Sequence, residues 1–383
     1  MKLALAAIVF ALSGAAPHAP VLGFDYGEKR ISWYDPTSLA SVKGGAQGWD
    51  GQLCSWSFSP DRKRLAASDC NGRLRFLAVP SLKVLGKVQA TSRLWDAASL
   101  TWLTPTRLLA VDRAGGGVSS LLVIDTTKRA LIRRVDLGGV VSARAIAGRR
   151  MVLLVAPFDS LGPARVVVAG SDGTTRSATI DAITAGTHFS PFDGAGPAGE
   201  MSIPGFTVDP SGTAFVVGAD LKVAAVDLTT MNVTYHGPTR TVTKLLTGTT
   251  RIAAWLGGGK VAVSGSDFAG DASVPARPFG LHVLDTSTWK YTTLDTTATG
   301  LVADGSTIFT SAPSRWSAYS VAGAHLYDIE APEGSDLSAA QGYAYVCTDR
   351  WLTRVLDSAT GAQIATPKDR GCPTLLTGRT AEY

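Results

Sequence analysis

The sequence predicts an all-β chain folded as a β-propeller of four-stranded blades, and three observations carry that expectation. The first is a recurring phrase, an apolar pair followed by Asp and a Thr/Ser-rich turn: "WYDPTS" at Asp35, "VIDTTK" at Asp125, "AVDLTT" at Asp227, "VLDTST" at Asp285 and "VLDSAT" at Asp357. Degenerate copies near Val79, Gly170 and Val321 fill the gaps, so that corners fall at residues 35, 79, 125, 170, 227, 285, 321 and 357. The second is their mean interval of roughly 46 residues, inside the ~40–50-residue period of propeller blades, with alternating apolar strands between them. The third is composition: 41 Gly, only 17% charged residues and no long helical pattern. Eight corners imply eight blades; seven is the alternative if the copies around Gly170 or Val321 are insertions.

Taken in order, residues 1–15 read as a secretory signal peptide, with one Lys, an apolar run from Leu3 to Leu12 and small residues at Ser13, Gly14 and Ala15. That run is too short to span a bilayer, and no later stretch predicts a membrane span. Residues 16–383 then form a single propeller domain, secreted or held in the periplasm or cell-envelope exterior. The first unit, "VLGFDYGEKRISWYDPTSLASVKG", supplies only three strands. "CPTLLTG" near the C-terminus supplies the missing innermost one, closing the ring by pairing N- and C-terminal strands.

Four cysteines in an exported chain suggest two disulfides. Cys54 and Cys70 lie nearly symmetrically about the turn "SPDRKR", so antiparallel pairing brings them together, and Cys347 and Cys372 are the remaining pair. The latter bridge would fasten the closing strand.

The phrase Trp, Asp, five residues, Trp occurs twice, as "WDGQLCSW" from Trp49 and "WDAASLTW" from Trp95. Both copies sit where a unit's innermost strand begins. The expected roles are Trp49 and Trp95 wedged between blades and Asp50 and Asp96 capping the turn, with a ligand-stacking wall as the alternative.

In a meander the connections sort by face. The repeated Asp corners join third to fourth strands and lie below; the connections from second to third strand, and from fourth strand to the next unit, lie above. Loops at 112–120, 156–165, 184–206 and 265–280 therefore project from the upper face. They carry Arg113, Asp159, His188, Asp193, Glu200, Asp267, Asp271 and Arg277, and shorter upper loops add Arg315, Trp316, Arg350 and Trp351. Such a face suits a polar or anionic ligand with aromatic stacking. For any single residue the plainer reading is an Arg–Asp tie between loops.

Catalytic motifs are missing: no HExxH, GxSxG or CxxCH occurs. No cofactor is predicted, although His188 with Asp193 and Glu200 leaves room for calcium or a transition metal. The net charge of +5 is scattered, which argues against nucleic acid as a partner.

"FSPDRKRLAASDCNGRLRFLAVPSLKVLGKV" and "VDPSGTAFVVGADLKVAAVDLTTMNVTY" resemble repeats of the WD40, YVTN and quinoprotein-like propellers, the exported YVTN type above all. Those propellers include enzymes, binding proteins and structural modules, so the resemblance implies fold and leaves function open. The expected function is an exported, monomeric binding or interaction scaffold for a protein, glycan or small ligand on the upper face. The alternative is a metal-assisted enzyme of lactonase, hydrolase or lyase type at the channel mouth.

Overall fold

The computed structural model describes residues 19–25, 27–90, 100–112, 117–189, 199–237, 248–268, 276–332, 334–349, 351–367, 372 and 374–376. The expected signal peptide, 1–15, lies outside them. The described chain is built of β-strands arranged as propeller blades, and no helix among these residues is long and apolar enough to cross a membrane.

Six separate four-stranded sheets are present. The first joins Val21–Asp25, Arg30–Tyr34 and Ser41–Gly48 to Thr374–Leu375. Next come Leu53–Phe58, Arg64–Asp69, Arg73–Ala78 and Val84–Gln89, then Leu100–Thr104, Arg107–Asp112, Ser120–Asp125 and Ala130–Asp136. A fourth contains Gly205–Val208, Thr213–Val217, Val223–Asp227 and Val233–His236. The fifth holds Val302–Asp304, Thr307–Ala312, Arg315–Ser320 and His325–Glu330; the sixth holds Asp336–Ala340, Tyr343–Thr348, Trp351–Asp357 and Gln363–Ala365. Burial follows position in the blade. Middle strands such as Ser120–Asp125 are buried along their whole length because neighbours cover both faces, whereas the outer strand Ala130–Asp136 is largely exposed.

The expected division into eight blades, or seven, is corrected here. The remaining strands run together as one ten-stranded sheet, in which the meander Val140–Ala147, Arg150–Ala156, Leu161–Ala169, Thr175–Phe189 is linked through Gly199–Ile203 to Gly248–Gly257, Lys260–Phe268, Leu281–Asp285 and Lys290–Asp295. The physical cause is the length of Thr175–Phe189. It outruns its blade, pairs antiparallel with Gly199–Ile203, and that strand pairs in parallel with the start of Gly248–Gly257. Arg277–Pro278 adds to the end of Lys260–Phe268. Much of what reads as long loops at 156–165, 184–206 and 265–280 is thus a ribbon of strand ends. Its cross-strand row runs Leu161, Gly186, Ser202, Thr249, Asp267, Arg277.

All eight corners read from the sequence lie in, or at the strand end that opens, turns between antiparallel strands. In the five full copies, Asp Oδ1 accepts the amides two and three residues on: Thr37 and Ser38 at Asp35, Thr127 and Lys128 at Asp125, Thr229 and Thr230 at Asp227, Ser287 and Thr288 at Asp285, Ala359 and Thr360 at Asp357. The residue four places after the Asp is then left-handed: Leu39, Arg129, Met231, Trp289 and Gly361 have φ of 49°, 55°, 64°, 57° and 71°. This conformation aims it at the preceding unit. Leu39 packs with Tyr343 and Tyr345, Met231 joins the cluster around Val166 and Ile180, and Trp289 joins that of Phe215 and Val217. At Gly361 a Cβ would stand 2.6 Å from the Tyr327 ring.

Inner strands are stitched by hydroxyls. Ser55 and Ser57 Oγ accept the Leu100 and Trp102 amides at 3.0 and 2.8 Å, and Thr207 Oγ1 accepts the Trp255 amide at 3.0 Å. The C-terminal strand pairs with the first through Gly23↔Leu375 and Phe24↔Thr374. Both expected disulfides are formed, with Cα separations of 5.2 Å for Cys54–Cys70 and 5.9 Å for Cys347–Cys372. They point to an oxidising, extracytoplasmic environment.

Candidate functional site

The upper face divides into side chains consumed by the architecture and side chains left facing solvent. Trp49 belongs to the first group: it is 3% exposed, packs among Leu22, Phe24, Leu53 and Trp56, and so wedges between the first two blades. Asp50 is exposed and meets Arg75 Nη2 at 2.8 Å, while Arg75 Nη1 donates to the Gly48 carbonyl at 2.9 Å. The second copy of the phrase cannot be compared, since Trp95 and Asp96 lie outside the described residues, as do Arg113, Asp193, Asp271 and Arg350.

Arginines at the upper ends of third strands repeat Arg75's task. Arg165 donates to the Leu137 carbonyl at 2.5 Å, Arg354 to the Glu330 carbonyl, and Arg315 faces Asp295 at 3.6 Å. Each holds the connection entering its own unit. Trp316 is buried and donates its indole N–H to the Ser335 carbonyl at 3.3 Å. These ties are the loop-to-loop use of Arg and Asp that the sequence reading weighs against ligand binding.

Asp267 is tied more deeply. Its carboxylate lies 2.7 Å from Arg251 Nη2, and the Arg251 side chain is 1% exposed. Arg251 also donates to the Ser266 and Ala219 carbonyls, and Phe279 lies against its guanidinium, 3.6 Å from carbon to ring centroid. Burial lowers the Arg251 pKa from its ordinary value, and Asp267 opposes that shift. Beside it His282 bonds the Phe279 carbonyl through Nε2 at 3.1 Å and Thr293 Oγ1 through Nδ1 at 3.0 Å. Burial pushes His282 toward its neutral form, against the Phe279 carbonyl and with help from the Arg251 cation. No sequence motif marks Arg251 or His282, so both were missed as members of the upper face.

A group of accessible side chains gathers at the other end of the ribbon. His188 and Glu200 are directly opposed across the ladder, a placement that brings their Cβ atoms within about 5 Å. His188 Nδ1 lies 3.2 Å from the Asp159 carbonyl oxygen and 4.0 Å from its carboxylate. Phe158, next in the chain, is 48% exposed. Gly186 makes this meeting possible: at φ 120° it passes so close to the 157–160 loop that a Cβ would stand 2.1 Å from the Ser160 carbonyl oxygen. Pairing therefore unites His188, Glu200 and Asp159 from segments that the sequence alone could only assign to one face.

Asp267 and Arg277 occupy the far side of the same ribbon, exposed at Arg277. Three or more strand steps of ~4.8 Å separate them from His188, well beyond the hydrogen-bond reach that general acid–base partners need. Trp351, 55% exposed, stands on the sixth four-stranded blade and shares nothing with this cluster. Among the described residues no three His, Cys, Asp or Glu side chains gather into a group able to hold a metal ion.

No family model matches the chain, and no curated protein matches it. Solved structures do. The dihydro-heme d1 dehydrogenase NirN, in complex with DHE, is similar with a TM-score of 0.61 at 12% identity, over 96% of this chain and 75% of that one. The computationally designed Ika8 protein gives 0.52 at 12% identity, over 90% and 96%. BamB from Moraxella catarrhalis gives 0.51 at 12% identity, over 86% and 92%. Likeness at these identities speaks for architecture, and with the arrangement of sheets described above it makes this chain a β-propeller.

Proposed function

We propose that the chain is an exported binding scaffold that recognises a polar ligand at the end of the ribbon formed by Phe158, Asp159, His188 and Glu200. The observation that carries this reading is the cross-strand opposition of His188 and Glu200 beside the Asp159 carbonyl, on strands that extend beyond their blade. The imidazole, two carboxylates and an exposed aromatic ring offer donors, acceptors and a stacking face, which fits a glycan, protein surface or small polar molecule. Cleavage after residue 15, a secreted or periplasmic location, a monomeric state and closure of the ring through Thr374–Leu375 belong to the same reading. The disulfides, the pairing of that strand with Val21–Asp25, and the bond from Tyr345 Oη to the Pro36 carbonyl at 2.8 Å support it.

The test is a screen of the purified mature chain against glycan arrays, cell-envelope extracts and polar small molecules, with each hit repeated on His188→Ala and Phe158→Ala. Loss of binding by about tenfold in either variant, with the unfolding midpoint unchanged, supports the site. Binding that survives both substitutions places recognition elsewhere.

A further inference from the structure

The first blade takes its innermost strand from the other end of the chain. That strand is short: two residue pairs, Gly23↔Leu375 and Phe24↔Thr374, with one further bond from the Leu376 amide to the Leu22 carbonyl at 2.8 Å. Its two leucines reach opposite sides of the blade. Leu375 packs with Val21, Tyr34 and Tyr345 toward the last blade, and Leu376 packs with Leu22, Phe24 and Leu53 toward the second. So few pairs would hold a chain end weakly, because the entropy of ordering it is offset by little buried surface. The extra restraint is covalent. Cys372, two residues before the strand, is bonded to Cys347 in the second strand of the last blade.

We infer that Cys347–Cys372 is a thiol-sensitive latch: its reduction releases Thr374–Leu376 and uncovers the inner edge of Val21–Asp25, while the Cys54–Cys70 bridge, confined to the second blade, has no such effect. Cys347 is 3% exposed and Cys372 is less buried, so the Cys372 sulfur is the open point of attack. A dithiol reductant supplies the two electrons and two protons. Its thiolate bonds to the Cys372 sulfur, Cys347 leaves as a thiolate and is protonated, and the second reductant thiol then displaces Cys372 as a thiol, ending as a disulfide. The freed end gains conformational entropy, and the Leu22 carbonyl that accepted the Leu376 amide turns to solvent, as do the backbone groups of Phe24 opposite Thr374.

Hydrogen exchange on the folded full-length chain, before and after dithiothreitol under native conditions, tests this. The amides of 21–25 should exchange roughly tenfold faster or more after reduction, and the same change should appear without reductant in Cys347→Ser/Cys372→Ser. In Cys54→Ser/Cys70→Ser, protection of 21–25 should match the unmodified chain until reductant is added. Unchanged protection after confirmed reduction of Cys347–Cys372 overturns the inference; so does an equal loss in both paired variants, which would mark general loosening.

Discussion

Arg75 lies with its guanidinium carbon 4.6 Å from the centroid of the Trp49 ring, clamping the first crossover between blades onto its core wedge. The same guanidinium holds the Gly48 carbonyl and Asp50, whose side chain is 92% exposed. Energetics should split accordingly. Arg75→Ala is expected to cost about 1–2 kcal/mol from the lost stack and carbonyl bond, and Asp50→Ala no more than about 0.5 kcal/mol because its ion pair is solvated. Arg75→Lys should recover less than half of the loss, since an ammonium cannot stack and fork together. Urea unfolding midpoints measure all three.

The buried pair Arg251–Asp267 makes a sharper case. Removing one partner strands a charge away from water, so Asp267→Ala should cost about 3–5 kcal/mol. The double change Arg251→Met/Asp267→Leu should be milder than the single one, because neither charge is then left buried. A double change at least as damaging as Asp267→Ala alone would show that Arg251's carbonyl bonds, and not the pair, hold the site.

Acid sensitivity follows from the corners. The turn hydrogen bonds hold the carboxyls below the usual range: the Thr37 hydroxyl foremost at Asp35, the Lys128 amide at Asp125, the Thr230 amide at Asp227, the Ser287 hydroxyl at Asp285 and the Thr360 hydroxyl at Asp357. A depressed folded-state pKa means the contribution is complete above the unfolded value of about 3.9 and is lost as pH falls through the lower folded value. Stability from this source should therefore be flat between pH 7 and 5 and fall below about pH 4. Asp35→Asn/Asp357→Asn, which keeps the accepting oxygen, should shallow the acid limb in urea titrations.

His282 adds a second window at milder acidity. Burial depresses its pKa, so between the unfolded value of about 6.5 and the lower folded value only the unfolded chain takes up the proton. Stability from this group is complete above about pH 6.5 and declines below it. His282→Gln should remove that part of the slope between pH 7 and 5 while leaving the lower limb intact.

Gly361, four places after Asp357, can be compared with Gly342 in the turn between Asp336–Ala340 and Tyr343–Thr348. Gly342 and Gly361 both have positive φ, at 82° and 71°, but a Cβ meets nothing within 4 Å at Gly342 and the Tyr327 ring at Gly361. Gly342→Ala should cost about 1 kcal/mol of backbone strain; Gly361→Ala should cost about 1–3 kcal/mol more for the collision. Equal losses would mean that Tyr327 yields without cost.

The corners and both disulfides were legible because they rest on local chemistry. An Asp that bonds amides two and three residues away announces itself in any copy; Cys54 and Cys70 are symmetric about a hairpin turn, and Cys347 and Cys372 are then the pair left over. The ribbon was not legible. Thr175–Phe189 can be read as extended chain, but its partnership with Gly199–Ile203, and that strand's parallel pairing with Gly248–Gly257, are choices of register between distant segments. The blade count failed for this reason: the repeat was visible, the strand that fuses two meanders was not. The role of Leu39, Arg129, Met231 and Trp289 was equally hidden, since four unlike side chains share only a backbone conformation. Among the site candidates, His188 fell on the accessible cluster, whereas Trp49, Asp267, Arg315 and Trp316 proved to be engaged within the architecture.

The ten-stranded sheet also sets a load path. Thr374–Leu375 is joined to Val21–Asp25 by two residue pairs and tied to the last blade by a sulfur–sulfur bond, while the fused sector shares its load across a continuous ladder. Two edges of the molecule are thus held in opposite ways: one by a brief pairing backed by sulfur, the other by an unbroken ladder that carries His188 and Glu200.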